Sequence, residues 1–150
     1  MTDNHGIIGF HHLAIRAKDF EQTLHFYTEG LGFTLSHAWS LPAFNLRKAA
    51  MLKSPDGNAY LELYDQDADI PAQGRKIETG ESYVQTALLH LCLTVKDATI
   101  AYEHAISVGA RPCLAPMSLE LGSSEFKVKN SLVYSPNGEV IEFLEPGNCF

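Results

Sequence analysis

Apolar and polar residues alternate over two stretches of this chain, FHHLAIRAKD from Phe10 to Asp19 and LLHLCLTVKD from Leu88 to Asp97. The second stretch repeats the first at an offset of 78 residues, so that His12 corresponds to His90. A period of two predicts a strand, and the aspartate that closes each copy is a typical helix N-cap. Self-similarity at a fixed offset indicates that the chain is built from two related halves.

The first half continues with a helix and three more strands. Apolar residues at helical spacing predict a helix from Phe20 to about Leu31, with Gly30 and Gly32 as its stop. The turn SPDGN separates the last two strands, because proline, aspartate and glycine each suit a turn position. The predicted strands of this half are 10–16, 33–40, 46–53 and 59–64.

The second half repeats this order. Its helix follows Asp97 and stops at Gly109, and its last strand follows a similar turn, SPNG. The predicted strands are 88–95, 111–114, 127–135 and 139–145. The pattern therefore predicts an α+β fold of two tandem βαβββ modules, about residues 8–64 and 87–146, within a single domain. One helix covers only one face of a four-stranded sheet, so the two modules side by side predict a curved mixed sheet with a sheltered concave face.

Two stretches between these elements are polar and lack periodicity. Residues 65–86 read as a linker between the modules, and residues 114–126 as a second loop. Long connections without secondary structure are uncommon in compact domains unless they act as linkers or as flaps. Both stretches are therefore candidate lids over a ligand.

Composition narrows the class of protein. The 150 residues are 45% hydrophobic, which is enough for a sizeable core, and the formal net charge of −7 argues against nucleic acid as a partner. The chain has no run of 18 apolar residues, the length that would indicate a membrane span, and its first residues do not resemble a secretory signal. The three cysteines, Cys92, Cys113 and Cys149, have no CxxC spacing and fit reduced thiols, so we expect a cytoplasmic protein. With nucleic acid and membrane both disfavoured, the expected partner is a small molecule.

Two glutamates interrupt strands that are otherwise apolar enough to be buried. Glu62 lies in AYLELY and Glu142 in EVIEFLE, at similar distances after the two turns. A buried carboxylate is costly unless it is protonated or meets a cation, and one divalent ion would satisfy both glutamates together with the two repeated histidines. The pattern thus predicts four metal ligands, His12, Glu62, His90 and Glu142. Nitrogen and oxygen donors favour Ni, Co, Zn, Mn or Fe(II).

Each of these residues alone has an ordinary structural explanation. A single strand histidine is more often a core or edge residue than a ligand, and a single strand glutamate is usually solvated. The matched pairing of the four is what favours a metal. Arg16 shares a face with His12 and suits a bound anion, although an ordinary strand-end cation fits equally well. Cys92 shares the face of His90 and is a candidate for lining a pocket or filling the core.

Four motifs give the chain a family resemblance: HLAIRAKD with FYTEGLGF, SPDGNAYLEL, LHLCLTVKD and SPNGEVIEF. Over residues 8–146 the chain resembles the vicinal oxygen chelate (VOC) superfamily, which has the glyoxalase/bleomycin-resistance/dihydroxybiphenyl dioxygenase fold. Within it the pattern is most similar to glyoxalase I, or lactoylglutathione lyase. The resemblance implies one divalent metal ion, glutathione as a candidate co-substrate, and a homodimer.

The resemblance also implies roles for particular residues. The family's His or Gln, Glu, His and Glu ligands fall on His12, Glu62, His90 and Glu142, and an arginine that helps to hold glutathione falls on Arg16. The reaction is an isomerisation of a 2-oxoaldehyde adduct through a metal-stabilised enediolate, in which Glu142 is the expected catalytic base and Glu62 can serve the other face.

The chain departs from the glyoxalase pattern at three places. Gln66 stands where several glyoxalases carry asparagine, Ser135 replaces an aspartate, and the linker is longer. These departures bear on glutathione recognition rather than on the metal. Four alternatives stay open: a racemase resembling methylmalonyl-CoA epimerase, an Fe(II) extradiol dioxygenase, a non-catalytic small-molecule binding or resistance protein, and a structural zinc site.

Overall fold

The computed structural model describes residues 11–69, 90–120 and 127–145. Its contacts divide the chain into two compact units, residues 1–69 and 70–150. Each unit holds a four-stranded sheet, one α-helix and the order of elements that the repeat predicts, so the α+β fold of two tandem modules is confirmed. No helix in the described ranges is long and apolar enough to cross a membrane.

The first unit follows the predicted order with small shifts at the element ends. The bounds are β1 His12–Arg16, α1 Phe20–His25, the π-helix Phe26–Gly30, β2 Thr34–Leu41, the 3-10 turn Pro42–Phe44, β3 Leu46–Lys53 and β4 Tyr60–Tyr64. The helix thus finishes with a π-helical turn, and a 3-10 turn separates β2 from β3. In the sheet β1 and β4 run parallel, whereas the pairs β4–β3 and β3–β2 are antiparallel, which gives the order β1-β4-β3-β2.

The second unit has the same topology. The bounds are β5 Leu91–Thr94, α2 Ala98–Ser107, β6 Arg111–Glu120, β7 Lys127–Tyr134 and β8 Val140–Glu145. The sheet has the order β5-β8-β7-β6, with β5 and β8 parallel and the other pairs antiparallel.

Strand β6 is longer than the sequence predicts. Residues 114–120, expected to be a loop, continue the strand and pair with β7 as far as Glu120 opposite Lys127. The register shifts twice between Pro112 and Met117, and these irregularities break the alternation by which a strand is recognised. The prolines are tolerated because β6 is the last strand of its sheet. The loop prediction is therefore wrong for residues 114–120, and residues 121–126 lie outside the described ranges.

The predicted linker begins as a packed segment. Nη1 of Arg16 donates hydrogen bonds to the backbone carbonyls of Gln66 and Ala68, at 2.9 and 2.6 Å. Oδ2 of Asp65 accepts from the backbone N–H groups of Arg47 and Lys48. Residues 65–69 are thus held against the first unit, while residues 70–86 lie outside the described ranges.

Both predicted helix caps are present. Oδ1 of Asp19 accepts from the backbone N–H of Gln22, and Oδ1 of Asp97 accepts from the N–H groups of Thr99 and Ile100. These bonds satisfy N–H groups that have no partner within the helix. The two glycines at the helix ends adopt positive φ, as a left-handed C-terminal stop requires: Gly32 at +75° and Gly109 at +111°.

The two faces of each sheet differ in chemistry. Leu61 and Leu63 on β4 are buried, and so are Ile141 and Phe143 on β8, whereas the residue between each of these pairs is a glutamate. In the second unit Oγ of Ser131 donates to the backbone carbonyl of Ala98 at the start of α2. Ser131 and the alternate residues of β7 that share its face therefore face the helix. The alternation of the strands therefore places the glutamates on the face opposite the apolar core.

Candidate metal centre

His12 and Glu62 meet on the first sheet. The parallel register of β1 and β4 sets Ala14 opposite Glu62, and His12 lies two residues before Ala14 on the same face. The two side chains approach diagonally, with 3.2 Å between Nε2 of the histidine and Oε2 of the glutamate. Glu62 is only 7% exposed, so its carboxylate is largely removed from water and depends on this partner.

His90 and Glu142 repeat this arrangement on the second sheet. Cys92 stands opposite Glu142, as Ala14 does opposite Glu62. His90 lies immediately before β5, and its Nε2 is 3.0 Å from Oε2 of Glu142. The structure thus brings together one predicted histidine and one predicted glutamate in each unit, through the same pair of atoms.

The far nitrogen of His12 also has a partner. Nδ1 of His12 and Nδ1 of His11 are 2.9 Å apart, so one of these nitrogens donates a hydrogen bond to the other. His11 in turn stacks on Tyr60, with 5.0 Å between the ring centroids. When His12 is the donor, its Nε2 presents a lone pair to the Glu62 carboxylate, and two electron-rich atoms at this distance need a proton or a cation between them.

Each carboxylate has a further polar neighbour, of a different kind. Nδ2 of Asn130 on β7 donates to Oε1 of Glu142 at 2.8 Å. Glu62 instead lies near the hydroxyl of Tyr64, and partial burial together with the Glu62 carboxylate raises the pKa of Tyr64 to about 12. Both neighbours are therefore hydrogen-bond donors at neutral pH.

Cys92 remains a thiol in this setting. Partial desolvation by its neighbours and the adjacent Glu142 carboxylate raise the pKa of Cys92 to about 11. A thiolate, the form that acts as nucleophile or metal ligand, is thus disfavoured at neutral pH. Cys92 is exposed, so the structure places it on the surface of this face rather than in the core.

Arg16 is engaged by the backbone. Its Nη1 donates to the carbonyls of Gln66 and Ala68, which anchors the segment after β4. Arg16 lies on the same face of β1 as His12, as predicted. Its contact with a substrate anion stays a prediction.

The donor chemistry fits a divalent metal ion. Each unit offers one imidazole nitrogen and one carboxylate oxygen, which suit first-row divalent ions. Within the described ranges no group of three or more His, Cys, Asp and Glu side chains forms a metal cluster. The binding of one ion by all four residues therefore stays a prediction.

Sequence reasoning missed three polar neighbours of these pairs. They are His11 next to His12, Tyr64 next to Glu62, and Asn130 next to Glu142. Strand alternation predicts His11 on the face opposite His12, yet the two adjacent rings meet at the start of the strand, with 5.1 Å between their centroids. Asn130 is a polar residue inside KVKNSLVY, and its parity in that strand is the signal that would have drawn attention to it.

The fold agrees with a family assignment. The family model described as Glyoxalase/Bleomycin resistance protein/Dioxygenase superfamily matches residues 9–143. The chain therefore belongs to this superfamily, which is the VOC family of the sequence resemblance. Comparison with curated proteins gave no match.

Several solved structures share the fold. The structure of SMU.1112c is 22% identical with a TM-score of 0.65, and the match covers 93% of this chain and 99% of that one. A glyoxalase family protein from Enterococcus faecalis is 23% identical with a TM-score of 0.64, over 91% and 97% of the two chains. Glyoxalase I from Zea mays is 20% identical with a TM-score of 0.65, over 93% of this chain but only 45% of the maize chain. At these identities the likeness shows the fold alone.

Proposed function

We propose that this protein is a divalent-metal-dependent enzyme of the glyoxalase I type, which isomerises the adduct of a 2-oxoaldehyde and a thiol. One observation carries the proposal: both units hold a His–Glu pair at repeat-equivalent positions, joined through Nε2 and Oε2 at 3.2 and 3.0 Å. Chance placement of two polar residues in one strand pair is common, but the same contact in both halves of a duplicated fold is not explained by packing. The proposed ligands are His12, Glu62, His90 and Glu142.

The residues of the two pairs suit proton transfer next to a polarised carbonyl. A divalent ion held by them would act as a Lewis acid on two adjacent substrate oxygens. Glu142 would then take a proton from one substrate carbon and return it to the neighbouring carbon, and Glu62 can serve the opposite face. Arg16 lies on the same face of β1 as His12, four residues further along the strand, and would attract an anionic part of the thiol, as glutathione offers.

Metal stoichiometry tests the ligand set. Calorimetric titration of metal-free protein with Ni²⁺ or Co²⁺ should give one ion per chain, and His12→Ala and His90→Ala should each weaken binding by more than about 100-fold. His37→Ala is the matched control, because His37 is an exposed histidine on the same sheet that stacks on Trp39. Two ions per chain, with each ligand variant losing one of them, would show that the pairs act separately. No uptake by the wild type would rule the site out.

Isotope exchange tests the reaction. In D₂O the metal-loaded protein should convert a hemithioacetal of methylglyoxal to product with deuterium from solvent, without consuming oxygen. Glu142→Gln should lose turnover by about 100-fold or more while it still folds, since an amide does not accept the proton. Oxygen uptake with a catechol would identify a dioxygenase instead. Deuterium exchange with inversion at the α-carbon of a CoA thioester, without transfer of the proton to a neighbouring carbon, would identify a racemase.

We also propose a homodimer. Strands β2 and β6 are end strands of their sheets among the described strands, and both carry exposed large apolar side chains: Leu35 and Leu41 on β2, Leu114 and Met117 on β6. Edge strands with apolar side chains are commonly covered by a partner. Light scattering should give twice the 16.6 kDa of the chain, and a dilute, fully active monomer would overturn this proposal.

A further inference from the structure

Asn130 is a buried amide on the polar face of the second sheet. It lies on β7 opposite Leu144 of β8. Glu142, which lies two residues before Leu144 and on the same face of β8, is its diagonal neighbour. The residue is 6% exposed, and its Nδ2 donates to Oε1 of Glu142 at 2.8 Å. The register of the sheet therefore places one amide donor next to the Glu142 carboxylate, on the side of β8 opposite to β5.

The amide is not there for stability alone. Its Oδ1 is buried and has no hydrogen-bond partner among the residues that the structure describes. A buried carbonyl without a partner costs about 1–3 kcal/mol, which an apolar side chain of the same size would avoid. What the amide contributes in return is its bond to Glu142, and a hydrogen bond to a charged group is among the stronger ones.

The bond fixes how the carboxylate is turned. Nδ2 only donates and both carboxylate oxygens only accept, so the amide must present its nitrogen to Glu142. With Oε1 held by Asn130, Oε2 is the oxygen that lies 3.0 Å from Nε2 of His90. The carboxylate is thus pinned at one oxygen and directed toward the histidine with the other.

The first unit lacks this device. By register, Ala49 opposite Tyr64 corresponds to Asn130 opposite Leu144. Alanine offers Glu62 no donor, and the polar neighbour of Glu62 is the Tyr64 hydroxyl instead. Support for the two carboxylates therefore comes from different strands, β7 in one unit and β4 itself in the other.

We propose that Asn130 is a positioning residue, which holds Glu142 with Oε2 directed at the metal that His90 and Glu142 share. The proposal rests on the proposed function, because it presupposes that these two residues bind a divalent cation. Partners that orient metal ligands in this way commonly change metal affinity by 10- to 100-fold when they are removed.

The test compares two neighbouring substitutions on β7. Asn130→Leu keeps a branched side chain of four heavy atoms and removes the donor, whereas Ser131→Ala removes the bond to the Ala98 carbonyl on the helix side of the same strand. Co²⁺ affinity is measured by calorimetry, the Co²⁺ absorption spectrum reports ligand geometry, and thermal denaturation reports stability. Asn130→Ala, which copies Ala49 of the first unit, replaces Asn130→Leu if the latter does not fold.

The expected outcomes separate orientation from folding. Asn130→Leu should weaken Co²⁺ binding by about 10- to 100-fold and alter the visible spectrum. Ser131→Ala should lower the melting temperature but leave affinity and spectrum as in the wild type. Wild-type affinity and spectrum in the Asn130 variants would overturn the positioning role and leave the metal site standing. A wild type that binds no cation would overturn the proposed function itself, and the positioning role with it.

Discussion

The two modules share a skeleton but differ in the surroundings of their His–Glu pairs. Each has a parallel outer strand pair, an aspartate cap and a glycine of positive φ after its helix. On the polar face, however, the first module presents aromatic rings and the second presents aliphatic residues and an amide. The rings are Trp39, Tyr60 and Tyr64, and by register their equivalents in the second module are Met117, Val140 and Leu144, while Asn130 stands where the first module has Ala49. The same pair thus occurs in two different surroundings.

The proposed ligand role accounts for a pair that is the same in both modules while its surroundings differ. If His12 and Glu62 only filled space, the neighbours that fill space with them would be matched in the second module. Instead Tyr64 faces Arg16 in register, whereas Leu144 faces Thr94. The polar faces of the two modules therefore offer a ligand different side chains.

The largest expected effect comes from the apolar cores. Leu52 and Val133 are register equivalents, each fully buried, and each lies opposite an apolar residue of the next strand. Leu52→Ala should lower the free energy of unfolding by about 2–5 kcal/mol, and Val133→Ala, which removes fewer atoms, by about 2 kcal/mol.

Hydrogen exchange then shows whether the modules unfold separately. Since the helix of each unit packs on the sheet of the same unit, Leu52→Ala should reduce amide protection first in β1, β3 and β4, and Val133→Ala first in β5, β7 and β8. Equal loss of protection in both units from either variant would mean that they unfold together.

A smaller effect is expected from the helix caps. Asp97 accepts two backbone N–H bonds and lies 3.6 Å from Nζ of Lys129, whereas Asp19 accepts one N–H bond. Asp97→Ala should therefore lower the melting temperature at pH 7 by about 2–4 °C, and Asp19→Ala by less. A larger loss from Asp19→Ala would contradict the difference between the two caps.

The Asp97 cap should also be sensitive to pH. The backbone N–H of Ile100, then that of Thr99 and the charge of Lys129, hold the pKa of Asp97 below its usual value. Because the folded-state pKa is depressed, the stabilisation is present above the unfolded pKa of about 3.9 and is lost as the pH falls through the lower, folded value. The gap in melting temperature between wild type and Asp97→Ala should shrink below about pH 4. Asp97→Asn, which can still cap, serves as the control.

The caps and most strands were predictable from the sequence because they depend on local patterns, and each pattern occurs once in each half of the chain. Asp19 and Asp97 each follow an alternating run, and each glutamate follows a Pro-Gly turn. Strand β6 was underestimated because prolines and register shifts hide its period. The bond from Asn130 to Glu142 could not be predicted, because it depends on a diagonal contact between β7 and β8 that only the register defines.

The smallest expected effect lies on the outer surface of α2. Ile100 is 66% exposed, and the repeat offset places Gln22 of the first module at the same position. Ile100→Gln makes the two helices alike there and should change the free energy of unfolding by less than about 0.5 kcal/mol, since little apolar area leaves the core. Chemical denaturation and light scattering measure the result. A loss above about 1.5 kcal/mol, or a fall in molecular mass, would mean that a partner covers Ile100, because an exposed isoleucine without one has few contacts to lose.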